Sequence, residues 1–273
     1  MGIFDFFRRK KKGLKGETAE TESNAPMFCF VLAEDPPEVE ADRANSIVRR
    51  ILGPAYSADT SDANIVSINK GKDTIGFLAK MPAPIPNEEA ENNADDNFLW
   101  PNGREEAARH NCHIIVTIAG TGEFSPVEAV IGIARLALVA LELYDGLGVY
   151  WGNGNVCNNR ETFENFCEDI SEEHVPLPVI MRFQFVSTDN NEIGLYTLGM
   201  NQFGLMEIEV DHSSMELSDL FEYVSNVAHY LVMSGPVISD GNTIGSDENE
   251  KITVRHQPSM IDKSRKVYKI LFE

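Results

Sequence analysis

The sequence predicts an α+β protein with a largely antiparallel sheet and packed helices. Three observations lead there. Short apolar runs rich in β-branched and aromatic residues recur along the chain, several of them joined by turn-rich links, and three segments (41–52, 126–145 and 216–233) place apolar residues at helical spacing. Strands paired by hairpins, with only some helical crossovers, favour antiparallel pairing. The order strand–helix–strand–strand appears over 27–80 and loosely again over 113–200. A duplicated ferredoxin-like arrangement is therefore the alternative reading, although no residue-level repeat accompanies it. Residues 1–26 read as a basic tail and polar linker. Residues 27–273 read as one domain, with two fused halves, 27–120 and 121–273, as the alternative.

The elements follow in order. MFCFVLAE (27–34) is a continuous apolar run and hence a buried strand. Ala44, Ile47, Val48 and Ile51 give 41–52 a helical stripe that stops at Gly53-Pro54. Ile65, Ile68, Ile75, Phe77 and Leu78 mark two strands joined around Gly71. Pro82, Pro84 and Pro86 break the ladder that follows. NEEAENNADD (87–96) offers no apolar anchor larger than alanine and reads as an exposed loop. HIIVTIA (113–119) is a buried strand by composition. Ser125, Pro126 and Glu128 form a capping box that opens a helix running to about Asp145, with Gly146 as its stop. This helix is apolar around most of its circumference, so it belongs at a centre. Glu128, Arg135 and Glu142 argue against a membrane span. LGVYW (147–151) is a strand, and 160–169 is a helix with Phe163 and Phe166 as its stripe. VIMRFQFVS (179–187) and GLYTLGM (194–200) form a hairpin across 188–192. MEIEV (206–210) precedes the last helix, whose apolar face is Leu217, Leu220, Phe221, Val224, Val227 and Leu231. KITVRH (251–256) and KVYKILF (266–272) are the closing strands.

Charge narrows the function classes. Of 23 basic and 43 acidic side chains, residues 1–15 hold six basic ones and one acid, leaving 17 against 42 in the remainder, a net of −25. A body that negative repels phosphate and anionic lipid, so nucleic acid is not expected as a partner and a basic protein is. Cys29, Cys112, Cys157 and Cys167 form no CxxC pair, and Phe4, Phe6 and Phe7 precede the basic cluster where a secretory signal would follow it. Free thiols in a cytoplasmic setting are the economical reading. Phe4, Phe6, Phe7, Arg8, Arg9 and Lys10 also form a short aromatic-basic tail suited to weak peripheral contact with the inner membrane or with a partner.

Tests for chemistry return little. GNGN (152–155) follows a strand, but Cys157 occupies the third glycine's place in a dinucleotide fingerprint, so no cofactor is expected. Cys157, Cys167 and His174 lack a fourth ligand for zinc, and Ile193 and Met200 spoil a calcium loop at 189–200. No metal is expected. Two binding candidates remain. In KITVRHQPS, strand alternation puts Lys251, Thr253 and Arg255 on one face, while Ile252, Val254 and His256 share the other. An Arg-Lys face suits a carboxylate or pairs with the acid surplus. Trp151 with Asn153 and Asn155 on a turn makes a serviceable contact patch, or Trp151 packs in the core.

Several of these stretches carry a likeness. GLGVYWGNG, LYTLGMNQFGLMEIEV, GPVISDGNTIG and EKITVRHQPS resemble the domain of unknown function 4261 family, and MPAPIP and VLAEDPP are similar to its N-terminal half. The resemblance implies a bacterial origin and carries no activity or catalytic residue with it. The leading expectation is a cytoplasmic, non-enzymatic protein-binding module of the immunity or adaptor kind. Against it stand an enzyme with an unrecognised site near Trp151, Arg255 and His256, and a membrane-peripheral scaffold acting through the tail.

Overall fold

Val31 and Leu32 are neighbours on β1 (Cys29–Ala33), and both are fully buried. Adjacent strand residues face opposite sides of a sheet, so both faces there need covering. The computed structural model, which describes residues 27–120, 124–187, 192–245 and 250–272, shows how this is done. By its contacts the chain divides into two compact units, one of Ala25–Arg182 and one containing Phe183–Glu273.

The first unit holds a seven-stranded sheet. Its strands are β2 (Tyr56–Asp59), β3 (Ile65–Lys70), β4 (Asp73–Met81), β5 (Cys112–Ile118), β1, β6 (Gly146–Trp151) and β7 (Val156–Asn159), in that spatial order. Every pairing in it is antiparallel. Strands from both sides of residue 120 share this sheet, because β1 lies between β5 and β6.

One face is covered by α1 (Ala41–Leu52) and α4 (Pro126–Leu143). The capping box read from the sequence is present: Glu128 N–H donates to Ser125 Oγ at 3.2 Å, and Ser125 N–H donates to Glu128 Oε2 at 2.8 Å. α4 has no basic residue in its last turn. Arg43 of α1 supplies one, donating to the carbonyls of Leu143 (3.0 Å) and Glu142 (2.8 Å), which satisfies orphan acceptors and complements the helix dipole. The turn after α4 is made by Asp145 (φ 51°), while Gly146 already belongs to β6. A Cβ at Gly146 would lie 2.5 Å from Val31 Cγ1 and 2.9 Å from Leu141 Cδ2, so this glycine serves close packing and not the helix stop expected of it.

The other face corrects the sequence reading. Residues 87–96 are not an exposed loop: α2 (Glu89–Asp95) forms there, and α3 (Gly103–Ala107) follows. Ala90 and Ala94, four apart and fully buried, join Ala107, Trp100, Ile85, Leu32, Tyr150 and Cys157 in one apolar cluster. Alanine is a sufficient anchor where a helix must approach a sheet closely and the bulk comes from the opposing side. Two other stretches are corrected. Val179 and Ile180 lie in the short helix α6 (Leu177–Ile180), not in a strand. The helix at 160 ends at Phe166, giving α5 (Arg160–Phe166).

The second unit holds a six-stranded sheet. Its order is β11 (Thr243–Ile244), β12 (Ile252–Pro258), β13 (Lys266–Leu271), β10 (Ile208–Ser213), β9 (Ile193–Leu198) and β8 (Arg182–Ser187). β10 and β13 run parallel, while β9–β10, β11–β12 and β12–β13 are antiparallel. The residues linking β8 to β9, expected as a hairpin turn, lie largely outside the described residues. α7 (Leu217–Ser234) packs along β10 and buries Leu220, Tyr223, Val224, Val227, Ala228 and Leu231. Leu217, expected on that face, is 41% exposed at the helix's first turn. The fold is thus α+β, with two mostly antiparallel sheets. Among the described residues no helix is long and apolar enough to cross a membrane.

Candidate functional site

On β12 the expected alternation holds: Ile252 and Val254 are buried, and Lys251 and Arg255 are exposed. Register then aligns a polar row across four strands, from Arg255 to Lys269 on β13, Glu209 on β10 and Tyr196 on β9. Its centre is buried, with Glu209 1% and Lys269 4% exposed. Lys269 Nζ donates to Glu209 Oε2 at 2.9 Å and to Asp211 Oδ1 at 2.5 Å. Glu209 also accepts from Ser259 Oγ at 2.5 Å and from the Met260 N–H at 2.9 Å, which ties the loop before β13 onto the sheet. Burial alone would lower the lysine's pKa, and the bonds to Asp211 and Glu209 outweigh it, so the ammonium is held charged. The ammonium fixed between these two carboxylates ties β13 to β10.

The other predicted residues of this unit are similarly engaged. Arg255 Nη1 lies 3.7 Å from Asp240 Oδ2. The backbone N–H of His256 donates to the other oxygen of the same carboxylate, and its Nε2 lies 2.9 Å from the Ile238 carbonyl, which requires the proton on Nε2. Lys251 lines a cleft of about 320 Å³ with Ser213, Ser214, Met215 and Glu250. The structure brings Arg255 and His256 together around Asp240. It places Trp151, Asn153 and Asn155 in the first unit.

There Trp151 is fully buried and lends no surface to a contact. Asn153 Oδ1 accepts from the Phe28 N–H at 3.4 Å. Asn155 stands in the left-handed region, and its carbonyl accepts from Arg182 Nε at 2.7 Å. A Cβ at Gly154 would lie 2.1 Å from the Ile180 carbonyl oxygen, so the GNGN glycine admits a neighbouring backbone where a nucleotide fingerprint would admit pyrophosphate. The four cysteines are buried free thiols. Burial raises Cys167 to about 12 and holds Cys29, Cys112 and Cys157 above the ordinary thiol value, the last with help from Glu91. Such thiols stay protonated at neutral pH. Among the described residues no group of three or more His, Cys, Asp or Glu is placed to hold a metal ion. Phe4, Phe6, Phe7, Arg8, Arg9 and Lys10 lie outside the described residues.

One surface escaped the sequence reading. Phe163 of α5 is fully buried, but Phe166, expected beside it in the apolar stripe, is 40% exposed. Phe166 is the last residue of α5, with Cys167 already its C-cap. Exposed acids surround Phe166 in sequence: Glu161 on α5, then Glu168, Asp169, Glu172 and Glu173 in the turn that follows. Residues 161–175 contain no lysine or arginine. An exposed aromatic suits the centre of a protein contact and the acids near it suit a polar rim, with Arg135 reaching the Ile170 carbonyl at 3.1 Å within the same stretch. The available signal was the acid run itself, which would be an unusual flank for a buried stripe.

Residues 196–271 match the model of a domain of unknown function, DUF4261. This stretch runs from β9 to the end of β13 and includes the polar row, Lys251, Arg255 and His256. It overlaps three of the segments in which the sequence likeness was seen; the other segments, and the Phe166 surface, lie outside it. No curated protein and no solved structure matches the chain.

Proposed function

We propose that this is a non-enzymatic protein-binding module of the bacterial cytoplasm, of the immunity or adaptor kind, and that it receives a basic partner at the acidic surface around Phe166. The observation that carries this reading is the exposed Phe166 ring on α5 amid Glu161, Glu168, Asp169 and Glu172. An aromatic anchor supplies affinity and the surrounding charge selects and steers the partner. The body's net charge of −25 extends the same field over the molecule. The groups with chemistry to offer support the reading too. Arg255 and His256 meet around Asp240, Lys269 is locked between carboxylates, and the thiols are buried. The enzymatic alternative draws no support from Trp151, which is in the core.

Affinity capture from a bacterial host, followed by calorimetry with the purified partner, tests this. A one-to-one basic partner is expected, with binding weakened about tenfold or more by Phe166→Ala and by the pair Glu168→Lys and Asp169→Lys. Saturable binding unaffected by either variant would reject the Phe166 surface, and recovery of no saturable partner would reject the binding role.

A further inference from the structure

The segment after β4, Met81-Pro82-Ala83-Pro84-Ile85-Pro86, carries three prolines, so residues 82–86 retain only two backbone donors. Ala83 N–H is used locally, donating to the Met81 carbonyl at 2.9 Å. Ile85 N–H donates to His110 Nε2 at 2.8 Å, in a fully buried bond. The Ala83 carbonyl lies 2.8 Å from His113 Nδ1. Two imidazoles therefore fasten this segment to the structure beneath it. The chain that continues from it is strained: Asn87 (φ 61°) and Glu88 (φ 52°) are consecutive non-glycine residues in the left-handed region, immediately before α2.

The two rings differ in what a proton does to them. His113 donates through Nδ1 whether neutral or charged, so protonation leaves its bond to Ala83 in place. Its pKa is lowered chiefly by burial, against the pull of that bond, with His110 adding to the lowering. His110 accepts through Nε2, and its Nδ1 lies 2.6 Å from the Ala107 carbonyl, so the ring is neutral with its proton on Nδ1. A proton added to Nε2 sets donor against donor at Ile85. The ionisable groups facing the ring are Glu91 of α2, whose Oε1 is 3.8 Å from Nδ1, and His113 of β5. On α3, Glu106 is engaged with Trp100 Nε1. Glu91 Oε2 is buried and accepts no hydrogen bond, so the charged ring finds beside it an acceptor lacking a donor.

The geometry points to a proton-operated latch: neutral His110 holds the strained segment 82–88 closed over the Trp100, Tyr150 and Cys157 cluster, and protonated His110 releases Ile85 and pairs with Glu91. This device is independent of the partner surface proposed above. Histidine is the side chain whose charge ordinarily changes between about pH 5 and 8.

Amide exchange of the full chain, corrected for intrinsic rates, tests it. Protection at Ile85 is expected to fall about tenfold or more from about pH 7.5 to about pH 5.5, and by no more than about twofold in His110→Gln, whose amide accepts from Ile85 at any pH. Glu91→Gln removes the negative charge that the open state pairs with and is expected to move the midpoint to lower pH. An unchanged wild type, or an equal fall in His110→Gln, overturns the latch. Should that variant fail to fold, ¹⁵N NMR of the unaltered protein decides: Nε2 of His110 carrying its proton at about pH 7.5 overturns it, and a bare Nε2 that gains one as exchange at Ile85 accelerates supports it.

Discussion

At Lys269 two carboxylates meet one ammonium, and the residue is almost wholly buried. Removing one member of a buried pair leaves an uncompensated charge, which costs more than the pair itself contributes. Lys269→Met is therefore expected to destabilise its unit by about 3 kcal/mol or more, read as a lower urea midpoint. Lys269→Met with Glu209→Met is expected to cost less than Lys269→Met alone, since no orphan carboxylate remains at Glu209. The pH sign follows from the raised lysine pKa. The native state holds this proton more tightly than the unfolded chain, so the contribution is complete below the ordinary value of 10.5 and is lost only as pH rises past it. The urea-midpoint difference between wild type and Lys269→Met should stay constant from neutrality to about pH 10 and narrow above it. The thiols give a second residue-scale expectation. Buried and held protonated, all four should resist a thiol reagent at about pH 8 in the native protein and react in about 6 M guanidinium. A rapid native reaction at any one of them would contradict the packing described.

Among the elements, β2 shows how an edge strand is kept from pairing with another chain. Asn45 of α1 places its amide across Ala58, accepting from the Ala58 N–H at 3.0 Å and donating to the Ala58 carbonyl at 3.3 Å. One side chain thus does for Ala58 what a neighbouring strand would do. Asn45→Ala should leave both groups unmatched, costing about 1–3 kcal/mol and raising self-association, measured by denaturation and by sedimentation at several concentrations. Equal stability and a monomer at every concentration would show that water replaces the amide without loss. The same scale shows what was legible in the sequence. Long periodic or apolar segments were readable, because α1, α4, α7, β5 and β12 each satisfy a pattern within their own residues. α2 was not, since its burial depends on Tyr150, Trp100 and Leu32 arriving from elsewhere, and its own alanines announce nothing. β2 and β7, four residues each, exist only through their ladder partners. At the site, the facing of Lys251 and Arg255 followed from alternation, whereas the partners Lys269 and Asp240 are set by register and by a turn. Phe166 was misplaced because the helix read over 160–169 ends at Phe166, which leaves that ring at its last position.

Across the whole molecule, the division at Arg182 and Phe183 makes a prediction about cooperativity. Both tryptophans of the chain, Trp100 and Trp151, are buried in the first unit, and residues 183–273 contain none. Tryptophan fluorescence therefore reports only on the seven-stranded sheet and its helices, while circular dichroism reports on both sheets together. If each unit's own core supplies most of its stability, urea unfolding should depart from a single transition, and the two probes should give different midpoints. Lys269→Met sharpens the comparison, because the buried pair it breaks lies wholly in the second unit. The variant is expected to shift the part of the dichroism change that belongs to that unit and to leave the fluorescence midpoint within error of the wild type. A fluorescence midpoint that moves together with the dichroism would mean that the two units unfold as one, and that the charged row of the second sheet stabilises the entire chain.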